Sequence, residues 1–153
     1  MCFVLYAGTI KPLPRRTWLK EHPALSIASL TEREAPIKQH FSNPEVQYVG
    51  STSGCGCDFP NLNLYKGEWP LFEVEQDGER EASNRHNREA LVDLLRESGE
   101  KTIELYGVWD GDFAKAPKAR EEVPLQRILD SDFYFKEQGF YTVSLQDEKA
   151  TLA

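Results

Sequence analysis

Cys2-Phe3-Val4-Leu5-Tyr6-Ala7-Gly8 opens the chain and is apolar at nearly every position. In extended backbone, Cys2, Val4 and Tyr6 leave one side and Phe3, Leu5 and Ala7 the other. A strand apolar on both faces belongs in the middle of a sheet covered on both sides. The reading therefore predicts a central strand here, with Cys2 mostly buried on it.

The other elements are read outward from this strand. Leu25-Ser26-Ile27-Ala28-Ser29-Leu30 alternates strictly and predicts a strand, as does Ile37 to Phe41. Val46-Gln47-Tyr48-Val49-Gly50-Ser51-Thr52 is rich in β-branched and aromatic residues, and Lys101 to Trp109 places Ile103, Leu105 and Gly107 on one face with Tyr106 and Val108 on the other. Phe133-Tyr134-Phe135 and Phe140 to Leu145, joined across Gly139, predict a β-hairpin. Helical signals are fewer. Thr17 to His22 predicts one turn, and Val123 to Asp130 a short helix with Pro124 in its first turn. The main helix is predicted from Ser83 to Glu97, with Leu91, Leu94 and Leu95 as its apolar stripe and Gly99 as C-cap. Towards its start the buried side would carry Ser83, Asn84 and Asn87, read as N-cap candidates or as a polar lining. Residues 58–79 form a long excursion, and the residues from Phe113 to about Glu122 a charged connection.

This order is not βαβ alternation. It predicts a single α+β domain over residues 1–146, with a mixed, largely antiparallel sheet of five to seven strands and one main helix packed on one face. Residues 147–153 are read as a frayed tail. With 153 residues, 40% apolar and 28% charged, the chain has the balance of a globular domain that folds without disulfides or metal. The net charge of −7 argues against nucleic acid, since phosphate backbones repel such a surface. No apolar run approaches the roughly 20 residues needed to span a bilayer, so no membrane partner is expected. The odd, low cysteine count implies no extracellular disulfide framework, and a reducing cytoplasm is the expected location.

The reactive residues gather in Ser51-Thr52-Ser53-Gly54-Cys55-Gly56-Cys57-Asp58. Cys55 and Cys57 are two apart, and glycines beside them let the backbone bend tightly. If the first strand lay beside residues 46–52, Cys2 would supply a third sulfur. Thiolates bind soft metals and carry redox and nucleophilic chemistry. The candidate metal set is Cys2, Cys55, Cys57 and His86, with His40 or His22 as other fourth donors and zinc or another soft transition metal as the ion. The Cys-x-Cys spacing lies outside the usual zinc C-x₂₋₄-C pattern. The catalytic candidates are Cys2, Cys57 and His86. A disulfide between Cys55 and Cys57 would be strained and hence labile. Asp110-Gly111-Asp112 has the composition of a turn.

Met1-Cys2 followed by a buried strand resembles the start of class II glutamine amidotransferases and their N-terminal-nucleophile relatives, over a few residues. The glycine those enzymes place after the cysteine is Phe3 here. The resemblance implies removal of Met1, a free α-amine acting as base for the Cys2 thiol, and two sheets stacked between helix layers. A different class of function, a non-catalytic binding or assembly module, would use the aromatic residues of the 133–145 hairpin as a partner or homodimer face. A small molecule is the other expected partner.

Overall fold

The structure, a computed structural model, describes residues 2–21, 23–62 and 78–145. His22, Met1, the 147–153 tail and most of the 58–79 excursion lie outside the described residues. The main sheet has six strands: β1 (Phe3–Thr9), β2 (Ser26–Ser29), β3 (Glu45–Gly50), β5 (Thr102–Trp109), β6 (Ala119–Pro124) and β8 (Gly139–Ser144), in the order β2-β3-β1-β5-β8-β6. β4 (Asn61–Leu62) and β7 (Phe135–Lys136) form a separate parallel pair. Among the described residues the one α-helix, α1, runs from Gly78 to Glu97. This is a mixed-sheet, single-domain α+β fold.

β1 is central, as its sequence predicts, and all of its residues are buried. It pairs antiparallel with β3 and with β5. Its alternation divides the core in two. Phe3, Leu5 and Ala7 join Val49, Ile103, Leu105 and Val143 against Leu91, Val92 and Leu95 of α1. Val4 and Tyr6 join Val46, Tyr106, Val108 and Phe140 on the opposite face, closed by Ile37 and Phe113. Each face thus buries its own apolar layer, which explains why β1 and β5 are apolar on both sides. Arg88 is buried on α1 and donates to the carbonyls of Ser131 (3.1 Å) and Phe133 (3.0 Å), which ties the helix to the segment leading into β7.

Several expectations are corrected. Ala35–His40 is a 3₁₀ helix rather than the strand predicted at 37–41; Pro36 sits in its first turn, where no N–H is needed. Among the described residues Thr17 to Glu21 forms no helix; Arg16, just before, is bridged to Ile27 by two backbone hydrogen bonds (3.0 and 2.9 Å) and extends the β2 edge. α1 starts by Gly78, so Ser83, Asn84 and Asn87 lie inside the helix and are not N-caps. Residues 125–129 form a 3₁₀ helix. The strand before it, β6, was hidden in the charged connection: it alternates Arg120 and Glu122 outward with Val123 inward, as suits a sheet edge. The predicted hairpin is not one, since β7 pairs with β4 while β8 pairs with β5 and β6.

Cys2 also departs from expectation. It lies just before β1 and is exposed, and its carbonyl accepts a hydrogen bond from the Asp110 N–H at 2.7 Å. The strand's end is therefore fixed to β5 while the cysteine side chain stays in solvent.

Candidate functional site

β3 stops short of the start of β1. The last pair between them is Leu5 with Val49, so the β1 edge at Phe3 and Val4 has no strand beside it on that side. The chain leaves β3 at Gly50, folds through Ser51–Cys55, and returns as a 3₁₀ turn over Gly56–Asp58 that covers this open edge. Gly56 makes the approach feasible. A methyl group at its Cα would run into the Phe3 carbonyl and stand 3.1 Å from Val4 Cα. Only glycine lets the two backbones come this close.

The loop is held from several sides. The Ser51 N–H donates to the Cys55 carbonyl at 2.9 Å, and the Ser51 hydroxyl donates to the same oxygen. Gly54 takes a positive φ of 99° beside the Trp18 ring, and the Trp18 indole N–H donates to the Thr52 carbonyl at 2.8 Å. Asn87, buried on α1, accepts from the Thr52 N–H at 2.9 Å and donates to the Ser83 carbonyl at 2.9 Å. On the far side Asn61 donates to the Phe59 carbonyl at 2.8 Å and to that of Cys57 at 3.3 Å.

This scaffold sets Cys57 beside the thiols of Cys2 and Cys55. Cys2 is exposed, Cys55 and Cys57 are half-buried, and all three are free thiols. Burial pushes the Cys57 thiol up to about 11; the Phe3 N–H aimed at it pulls the other way, and the neighbouring Cys2 and Cys55 thiols raise it further. Tyr48, on β3, borders the cluster. Burial raises its phenol to about 12, with additional upward pressure from Cys55, Glu34, Cys2 and Cys57. Tyr6 donates to the Glu34 carboxylate, and burial followed by this hydrogen bond keeps its phenol protonated far into the alkaline range.

The other candidate residues lie elsewhere. His86 is exposed on α1, where it lines a cleft with Arg16, Leu25, Thr52, Ala90 and Asp93, and no cysteine is in that lining. His40 packs its ring edge-on to Tyr106 and binds the Phe113 carbonyl through Nε2 at 2.9 Å. Among the described residues no group of three or more Cys, His, Asp and Glu side chains is disposed to hold a metal ion. Asp110 and Asp112 serve a turn: Gly111 has φ 105°, the Asp112 N–H donates to the Trp109 carbonyl at 2.9 Å, and Asp110 pairs with Arg33 at 2.9 Å.

Among the described residues there is one six-stranded sheet and the short β4–β7 pair, where the N-terminal-nucleophile resemblance implies two stacked sheets. Of the aromatic residues expected to form an assembly face, Phe133, Phe135, Phe140 and Tyr141 are buried in the core and Tyr134 is half-buried.

Asn87, Trp18 and Tyr48 are supporting residues that sequence reasoning did not assign to the site. Asn87 carried a signal, a polar residue on the buried side of the helix stripe. Trp18 and Tyr48 carried none, since their partners are 34 residues away in one case and set by strand pairing in the other.

Among the described residues no helix is long and apolar enough to cross a membrane. No family model matches the chain, and no curated protein or solved structure matches it either.

Proposed function

We propose that the protein is a thiol redox protein whose site, formed by Cys2, Cys55 and Cys57, cycles between free thiols and one intramolecular disulfide. What supports this reading is that Cys57 has both other free thiols, Cys2 and Cys55, as neighbours, beside the β1 backbone that Gly56 touches. Neighbouring thiols close a disulfide when a two-electron oxidant is supplied. With hydrogen peroxide, one thiolate attacks a peroxide oxygen to give a sulfenic acid and hydroxide, which is protonated to water. A second thiol then displaces water from the sulfenic sulfur and forms the S–S bond. A dithiol reductant reverses the change by exchange.

Soft-metal capture, the other thiol chemistry expected from the sequence, calls for a donor set that the described residues do not provide. Cys57, its thiol pushed up to about 11, is thiolate to about one part in ten thousand at pH 7, so it suits a slow resolving thiol rather than the first nucleophile.

The test is a thiol count on denatured protein. Three free thiols should fall to one after treatment with peroxide and return to three with dithiothreitol, without change in mass beyond two hydrogens. Retention of three thiols, or their loss only to sulfinic acid or to disulfides between molecules, would overturn the proposal.

A further inference from the structure

Building on the redox reading above, we infer that the disulfide forms between Cys2 and Cys57, and that low-molecular-weight disulfides of the glutathione type enter through Cys2. The geometry separates the three sulfurs into roles. Cys2 is the exposed one, on a residue whose backbone is anchored to β5 through the Asp110 N–H. Cys57 follows Gly56, which rests on the backbone of Phe3 and Val4, the residues next after Cys2. These two sulfurs belong to separate segments already held in contact, so a bond between them needs no new chain path. A bond between Cys55 and Cys57 would have to close a very small ring across Gly56, whose backbone is pinned to β1, and disulfides between such near neighbours are strained. Cys55 also sits by the Ser53 hydroxyl, at 3.9 Å, within a loop closed by Ser51.

The chemistry follows in two exchanges. The Cys2 thiolate attacks one sulfur of the small disulfide, forming a mixed disulfide and releasing one small thiolate. Cys57 loses its proton to solvent and attacks the Cys2 sulfur, closing the Cys2–Cys57 bond and releasing the second small thiolate. The sum is one small disulfide reduced to two thiols and two protein thiols oxidised to one disulfide. Cys55 remains a thiol throughout.

The experiment uses the full chain incubated with oxidised glutathione, followed by intact mass and non-reducing peptide mapping. Wild-type protein should yield a peptide joining residue 2 to residue 57. Cys57→Ser should stop at the mixed disulfide, with one glutathione on Cys2. Cys2→Ser should lose at least tenfold in rate, and Cys55→Ser should behave as wild type. A Cys55–Cys57 link, or glutathione collecting on Cys55 in the Cys57→Ser protein, would overturn this assignment while leaving the redox reading intact. Absence of any intramolecular disulfide with peroxide as well as with glutathione disulfide would remove both.

Discussion

Replacing Gly56 by alanine tests the contact on which the site depends. The added methyl would meet the Phe3 carbonyl and the Val4 Cα, both parts of a backbone held on its other side by the ladder with β5, so neither can move aside cheaply. Gly56 is not among the residues with positive φ, so alanine is sterically allowed by its own dihedral angles. Two effects then compete. Stiffening the unfolded chain would stabilise by about 0.4–1 kcal/mol. Overpacking against a fixed backbone costs about 1–3 kcal/mol. The clash wins, and urea unfolding should report a net loss of about 1–2 kcal/mol. Stability alone is a weak discriminator, so the assay is the rate of disulfide closure after a fixed pulse of glutathione disulfide. Lifting the 56–58 turn by about 1 Å should slow closure by up to about a hundredfold, the scale that a misplacement of that size costs an intramolecular reaction. Gly99→Ala is the control: Gly99 has φ 73° with nothing within 4 Å of an added Cβ, so it loses about 1–2 kcal/mol of stability to backbone strain and should close at the wild-type rate. Closure of Gly56→Ala at the wild-type rate, with unchanged stability, would refute the reasoning.

Other outcomes follow from the same contacts. Because Cys57 titrates near 11, the rate at which it displaces glutathione from Cys2 should rise about tenfold per pH unit from 7 to 10, read by rapid acid quenching; a plateau near pH 8.5 would mean an ordinary thiol. Tyr6, Tyr48, Tyr106 and Tyr141 all have raised phenol values, chiefly from burial. Below pH 10 both folded and unfolded chains keep these protons. Above it only the unfolded chain releases them, so stability falls as pH rises towards 12, by about 1.4 kcal/mol per pH unit for each phenol. Alkaline unfolding should therefore coincide with the tyrosinate absorbance rise, whereas phenols titrating near pH 10 in folded protein would contradict this. Asn87→Ala strips the Thr52 N–H of its acceptor and should cost about 1–3 kcal/mol in urea unfolding, with faster hydrogen exchange across residues 51–57. Glu104 is buried and accepts from the Ser42 N–H, the Ser42 hydroxyl and the Asn43 N–H; Glu104→Gln turns one acceptor into a donor facing donors and should lower stability by about 2 kcal/mol.

What was readable in the chain follows the physics of burial. β1 and β5 announce themselves because both of their faces are covered, and unbroken apolar alternation has no other stable home. β6 escaped because an edge strand carries charge outward and resembles a loop. The hairpin was misread because pairing between β7 and β4 joins Phe135 to Asn61 across more than seventy positions, and register at that range leaves no local trace. α1 was cut short because its first turns carry charged and amide side chains, and an apolar stripe is visible only from Leu91 onward. Within the site, the Cys-Gly-Cys segment was correctly seen to follow a strand. The burial of Cys2 was misjudged because alternation says which side a residue faces and nothing about where the covering layer ends.

The neighbouring thiols and the stability of the sheet have a common origin. An open strand edge leaves N–H and C=O groups in need of cover, and natural folds meet that need with a neighbouring strand, a loop or a bulge. Here β3 ends at Gly50 before the β1 edge is fully covered, and the 56–58 turn takes over the uncovered part. The turn can lie on a strand only if its contacting residue lacks a side chain, which places a glycine at 56. The flanking positions must then carry side chains that leave the contact on either side, and in this chain both are cysteines. The Phe3 N–H, freed from any ladder partner, points to Cys57. A serine at 57 would keep that hydrogen bond and preserve the fold while removing the sulfur. Cys57→Ser should therefore match wild type in urea unfolding to within about 0.5 kcal/mol and still be unable to close a disulfide with Cys2, separating the structural duty of the turn from its chemistry.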